Sequence, residues 1–158
     1  MANWCLEDRD GKLHMAFFAK ARAADVSKMK WTKGLSWLKE IRNKSRSVYI
    51  LNDESPKILG ALSLSDEGDH VFIHLIESAP ETRFDAVPPR VYVNIPKLLI
   101  AFAGMASNEL GYEGFLALMP KTEKREYFAT QFCAFDLPMR KMGIDGVVSN
   151  YWIGVYYK

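Results

Sequence analysis

Apolar and polar positions along this chain switch between the period of a strand and the period of a helix. Leu13-His14-Met15-Ala16-Phe17-Phe18-Ala19 reads as a strand, and Ala21 to Lys28 as a short helix. Leu35, Leu38 and Ile41 then recur at helical spacing, so Thr32 to Asn43 reads as an amphipathic helix with Trp31 and Trp37 as core tryptophans beside it. Ser47 to Leu51 is a β-branched and aromatic run that ends in a turn at Asn52-Asp53-Glu54-Ser55-Pro56. Ile58 to Leu64 resumes as a strand, Ser65 to Asp69 turns, and His70 to Glu77 alternates as the next strand, which makes an antiparallel meander.

Ser78 to Arg90 is polar and Pro-rich, a loop long enough for a functional lid or a plain surface excursion. From Asn94 the period becomes helical: Ile95, Leu98, Leu99, Phe102 and Met105 share one side, and Gly111 closes the helix as a C′ glycine. Phe115 to Met119 reads as a buried strand. Lys121 to Phe132 reads as a helix with Thr122 as its N-cap and Glu123 in its first turn. Met139 to Ile144 reads as a last strand, and Val147 to Tyr157 fits a helix or a strand. A meander followed by β-α-β-α predicts an α/β or α+β sheet of mixed direction.

With 158 residues, 49% of them hydrophobic and 13% aromatic, the chain can bury one sizeable core. A net charge of +2, with Lys and Arg spread along the chain, suits an ordinary surface or an anionic ligand and does not point to nucleic acid. Cys5 and Cys133 stand far apart without metal or disulfide spacing, and Cys133 reads as a small core residue. No signal segment opens the chain and no apolar run reaches the ~18 residues of a membrane helix, so a cytoplasmic protein without a membrane partner is expected.

The chemistry concentrates around Glu77. A strand ending in a carboxylate, a helix start facing that strand end and a following strand–helix pair make a workable acyl-CoA site. The helix start offers free N–H groups and a positive dipole end to a pyrophosphate, and the carboxylate can take a proton from an amine. A solvated glutamate at a strand end is the plainer alternative. His70 and His74 share one strand face. They lack a third ligand in spacing, so no metal is expected, and His74 reads as an auxiliary base or as a half-buried histidine.

These segments, in this order, resemble the GNAT acetyltransferase superfamily. They are similar, more narrowly, to a small bacterial GNAT-like group. The motifs are the strand end Ile76-Glu77-Ser78-Ala79-Pro80, the joint Glu109-Leu110-Gly111-Tyr112-Glu113-Gly114-Phe115 and the turn Lys121-Thr122. The resemblance runs from about Ile58 to Ala134. It implies one GNAT-like domain over residues 1–158, with a mixed, mostly antiparallel central sheet flanked by helices. It implies acetyl-CoA as cosubstrate and an amine acceptor, small molecule or peptide, and it allows a homodimer. The alternative under the same fold is a catalytically reduced binding or regulatory module, such as a toxin–antitoxin component.

What the resemblance implies for single residues follows its motifs. Glu77 is the general base. Leu75 and Ile76 offer backbone to the pantetheine arm, and Trp31 and Trp37 line the acceptor pocket. Asn94, Ile95, Pro96 and Lys97 form the pyrophosphate turn, although the family's glycines fall on Asn94 and Pro96, which adds a side chain and removes an N–H. Lys97 and Arg90 supply compensating charge there, and Lys121 contacts cofactor or acceptor. The family's acidic tyrosine falls on Phe128, with Tyr127 its neighbour about 100° around the helix.

Overall fold

The computed structural model describes residues 3–158 and carries one eight-stranded sheet in the order β1-β2-β3-β4-β5-β6-β8-β7. The strands are β1 (Trp4–Glu7), β2 (Leu13–Lys20), β3 (Ser47–Asn52), β4 (Ile58–Asp66), β5 (Val71–Ser78), β6 (Leu116–Leu118), β7 (Phe135–Asp136) and β8 (Met142–Ile144). The helices are α1 (Trp37–Arg42), α2 (Ile95–Glu109), α3 (Arg125–Phe132) and α4 (Gly146–Tyr156). All neighbours pair antiparallel except β5 and β6, which run parallel because α2 crosses over between them. The sheet is mixed and mostly antiparallel with helices on its faces, as expected.

The meander β3-β4-β5 and the helix α2 follow the sequence reading within a residue or two. Leu110 caps α2 and Gly111 follows at φ 86°, the left-handed position a C′ glycine fills. Asp145 accepts from the Val147 N–H at 2.8 Å and caps α4, which settles the aromatic tail as a helix.

Other expectations need correction. The helix expected over Ala21–Lys28 is a 3₁₀ turn, Ala23–Lys28, and that over Thr32–Asn43 shrinks to Trp37–Arg42. Gly34 at φ 90° breaks the run, and Ser36 caps the short helix by accepting from the Lys39 N–H at 3.2 Å. Thr122 makes no cap: a 3₁₀ turn, Thr122–Lys124, precedes α3. Met139 and Arg140 both take φ 64°, so the last expected strand starts only at Met142. Cys133, expected in the core, ends α3 at φ 52° with an exposed side chain. Its left-handed backbone turns the chain away there.

Two apolar layers sandwich the sheet. On one side Ile95, Leu98 and Leu99 of α2 pack on Leu62, Leu64, Val71 and Ile73, and α4 closes over α2. On the other, Trp37 of α1 packs with Met29, Val48, Ile50 and Ala61. All of β4 but its last residue is therefore buried. Its polar Ser63 survives there because the hydroxyl donates to Glu40 Oε1 at 2.8 Å, while Arg46 holds both Glu40 oxygens at 2.7 and 2.6 Å.

Candidate active site

β5 is where the sheet is interrupted. Ser63 pairs with Leu75 and Leu64 with Ile73, so His74 is an extra residue bulged out of the ladder. The bulge turns the strand from its partner on the other edge. β6 pairs only Leu116, Ala117 and Leu118 with Val71, Phe72 and Ile73, and then departs. The Ala79 N–H donates to the Leu59 carbonyl at 2.9 Å, so Ala79 faces β4. By alternation Glu77 and Leu75 also present their backbone to β4. Ile76 and Ser78 present theirs to the opposite edge, past the last β6 residue. An extended polar chain can add to that edge as a strand would.

The side chains alternate the other way. Ile76 packs against the α2 layer and Leu75 against the α1 layer. Glu77 therefore points under α1, where it is 7% exposed. The Trp37 indole N–H donates to its Oε1 at 2.7 Å, and Arg83 Nη2 approaches Oε2 at 3.4 Å. Arg83 also donates to the Ser78 carbonyl, from Nε at 3.3 Å and from Nη2 at 3.1 Å, and to Thr32 Oγ1 at 3.2 Å. Trp37 is thus at once a core residue, 1% exposed, and a polar partner of Glu77; Trp31 lies half-buried in the same layer.

His74, half-buried on the bulge, meets the Ser65 hydroxyl through Nε2 at 2.7 Å, and that hydroxyl lies 2.7 Å from Glu67 Oε2. Burial, and then the Arg46 guanidinium, hold its pKa below the ordinary histidine value. His70 faces Asp69 instead, Nδ1 to Oδ1 at 2.6 Å.

The start of α2 is occupied by the chain itself. Asn94 is fully buried: its Oδ1 accepts from the Glu7 N–H at 2.8 Å and its Nδ2 donates to the Cys5 carbonyl at 3.1 Å. The Val93 N–H donates to the Glu7 carbonyl at 2.9 Å, so β1 runs along this turn. Ile95 is fully buried against Gly60, whose missing Cβ would lie 3.1 Å from Ile95 Cγ2. Pro96 stands in the first turn without an N–H. Lys97 reaches away to α4, its Nζ 4.7 Å from the centre of the Trp152 ring. The Asn94 side chain is spent on β1 and the Lys97 ammonium on an aromatic face.

α3 follows β6 and a 3₁₀ turn. Phe128 is 7% exposed and packs on Phe132, whereas Tyr127 is 39% exposed. Partial burial raises the Tyr127 pKa above the ordinary phenol value, and the nearby Arg90 charge opposes this. Lys121 is exposed at the turn before α3. Glu77, Leu75 and Ile76 thus share one strand end. Asn94, Ile95, Pro96 and Lys97 form a separate turn against β1 and α4, and Tyr127, Phe128 and Lys121 stand on the element after β6. Sequence reasoning missed Arg83 and the polar role of Trp37. Trp37 meets Glu77 across 40 positions, and Arg83, six residues after Glu77, lies in an irregular loop whose sequence has no period to show where its side chain turns.

Among the described residues no strand pairs with the Ile76–Ser78 edge, so that backbone could hold the amide-bearing arm of a coenzyme A thioester. The phosphate end is less well provided, with Asn94 turned to β1 and no N–H on Pro96. Lys97 and Arg90 are the cations nearest in sequence to that turn.

The chain matches no protein-family model and no curated protein sequence. Solved structures do match its fold. The PaiA N-acetyltransferase of Thermoplasma acidophilum, in complex with coenzyme A, aligns at TM-score 0.56 and 11% identity over 81% of this chain and 96% of that one. A chimeric spermidine N-acetyltransferase SpeG, from Vibrio cholerae and hSSAT, aligns at TM-score 0.56 and 12% identity over 88% of this chain and 98% of that one. The ribosomal-protein-S18-alanine N-acetyltransferase of Escherichia coli aligns at 0.54 and 10% over 73% of each chain. The fold is that of the GNAT acetyltransferases. Among the described residues no helix is long and apolar enough to cross a membrane.

Proposed function

We propose that this protein is an N-acetyltransferase that uses acetyl-CoA and an amine acceptor, working as one GNAT-like domain. The observation that carries the reading is the opening of the parallel β5–β6 pair after Ile73 and Leu118, with Glu77 on the strand that keeps going. The thioester supplies the activated acetyl group when bound. Ile76 and Ser78 lend backbone groups to its amide-bearing arm, and the Ile76 N–H can polarise the reacting carbonyl.

Glu77 takes the proton from the acceptor's ammonium at Oε2, because Oε1 is engaged by the Trp37 indole. The Tyr127 hydroxyl, its pKa raised by partial burial, is the group assigned to protonate the leaving thiolate. Phe128 backs Tyr127 from the core, and Lys121, exposed before α3, is the residue assigned to contact cofactor or acceptor. Ile95 and Pro96 shape the helix start, and the cation needed near the phosphates falls to Arg90, or to Lys97 once its ammonium leaves the Trp152 ring. Asn94 contributes indirectly, by tying this turn to β1.

A second reading keeps the fold without turnover, as a binding or regulatory module. It is favoured by the Arg83–Glu77 pairing and by the absence of a glycine turn at Asn94–Lys97. Calorimetric titration with acetyl-CoA and with CoA, followed by an amine panel, separates the two. Micromolar binding and acetyl transfer lost roughly 10²-fold or more in Glu77→Gln is the expected result. No binding at millimolar ligand would end the enzyme reading. Binding without transfer would select the module.

A further inference from the structure

Arg83 is the one partner of Glu77 that comes from the loop rather than from a packed element. Trp37 and Glu77 are both almost fully buried, but the Arg83 side chain is 39% exposed. Its Nη2 to Oε2 distance of 3.4 Å is long for a charge-assisted bond, against 2.7 Å for the indole on Oε1. Oε2 therefore keeps lone-pair capacity, and the group beside it is a half-exposed cation on a flexible stem.

The same guanidinium reaches the Ser78 carbonyl, which belongs to the open strand edge. Arg83 thus spans the end of the edge offered to the pantetheine arm and the carboxylate offered to the acceptor. Glu77 is buried while Arg83 is half-exposed, so the carboxylate needs a counter-charge, and the loosely held guanidinium is one that an incoming ammonium can replace.

We propose that Arg83 is an internal occupant of the acceptor subsite, a cation that stands where the substrate's ammonium will stand. The acceptor this selects carries an alkyl ammonium, a positive charge that replaces the guanidinium at Glu77 Oε2. A neutral aromatic amine has no charge to exchange and leaves Arg83 in place. The inference rests on the reading of Glu77 as the acceptor-facing carboxylate.

Calorimetric titration of the whole chain with n-butylammonium chloride tests it, in wild type, Arg83→Ala and Glu77→Gln, with aniline as the neutral comparison. Expected is binding about two- to fivefold tighter in Arg83→Ala than in wild type. Glu77→Gln should lose n-butylammonium binding, and aniline should be indifferent to all three. Equal or weaker binding in Arg83→Ala overturns the proposal. Should that variant not fold, Arg83→Gln keeps donors for Ser78 and Thr32 without the charge and reads the same difference. The experiment contains no acyl-CoA. Tightening in Arg83→Ala together with failure to bind acetyl-CoA would uphold the exchange and refute the enzyme.

Discussion

The indole N–H of Trp37 donates to Oε1 of Glu77 at 2.7 Å, joining α1 to the strand that carries the candidate base. Both groups are nearly sealed from water, so neither finds a substitute partner easily. Trp37→Phe keeps most of the packing and deletes the donor. It should lower stability by about 1.5–3 kcal/mol, the range for a hydrogen bond to a charged group. Urea unfolding at pH 7.5 reads this, and an unchanged midpoint would mean that Glu77 turns to Arg83 without loss.

Asn94 separates a structural from a ligand-binding role at the start of α2. Asn94→Ala would leave the Glu7 N–H and the Cys5 carbonyl without their partner. The expected loss is about 2–3 kcal/mol, with acetyl-CoA affinity held within about twofold. Denaturation and calorimetry on the same variant give both numbers. A tenfold loss of affinity at unchanged stability would return Asn94 to the cofactor.

His74 should make stability depend on pH. Its folded pKa lies below the ordinary 6.5, chiefly through burial, with the Arg46 charge adding to it and Glu40 and Glu67 opposing. Lys141 also faces it and lowers the pKa further. The unfolded chain therefore takes up the proton first as pH falls. Above about 6.5 the full stability is present, and it declines below that value until the folded histidine itself titrates. Urea midpoints between pH 7.5 and 5.5 should fall in wild type and fall less steeply in His74→Gln. Parallel slopes would show that another group carries the dependence.

Tyr127 is a proton donor in the proposed reaction, and its raised pKa keeps it protonated at neutral pH. Tyr127→Phe should lower kcat roughly 10²-fold while leaving acetyl-CoA affinity unchanged. Steady-state kinetics beside calorimetry distinguish this from a packing defect. An unaltered kcat would assign thiolate protonation to water.

The meander, the long helix α2 and the joint at Gly111 were legible along the chain, because alternation, helical spacing and a left-handed glycine act locally. Glu77 could be picked out for the same reason: a carboxylate at the end of an alternating apolar run. β1 was not legible, since Trp4–Glu7 is short and gains its place from pairing with β2 and from Asn94. β7, two residues long, exists only by pairing with β8.

The sequence by itself determined the mixed fold, the strand that ends in Glu77 and the Pro-started helix after it, each written in residues close to one another. Only the tertiary structure decided what those residues do. It bulges His74, opens β5 from β6, turns Asn94 onto β1 and Lys97 onto Trp152, and brings Trp37 and Arg83 to one carboxylate. Most of these are meetings between residues distant along the chain, such as Trp37 with Glu77 and Asn94 with Cys5 and Glu7. They depend on which face of a packed sheet each side chain reaches, and a local pattern carries no record of that.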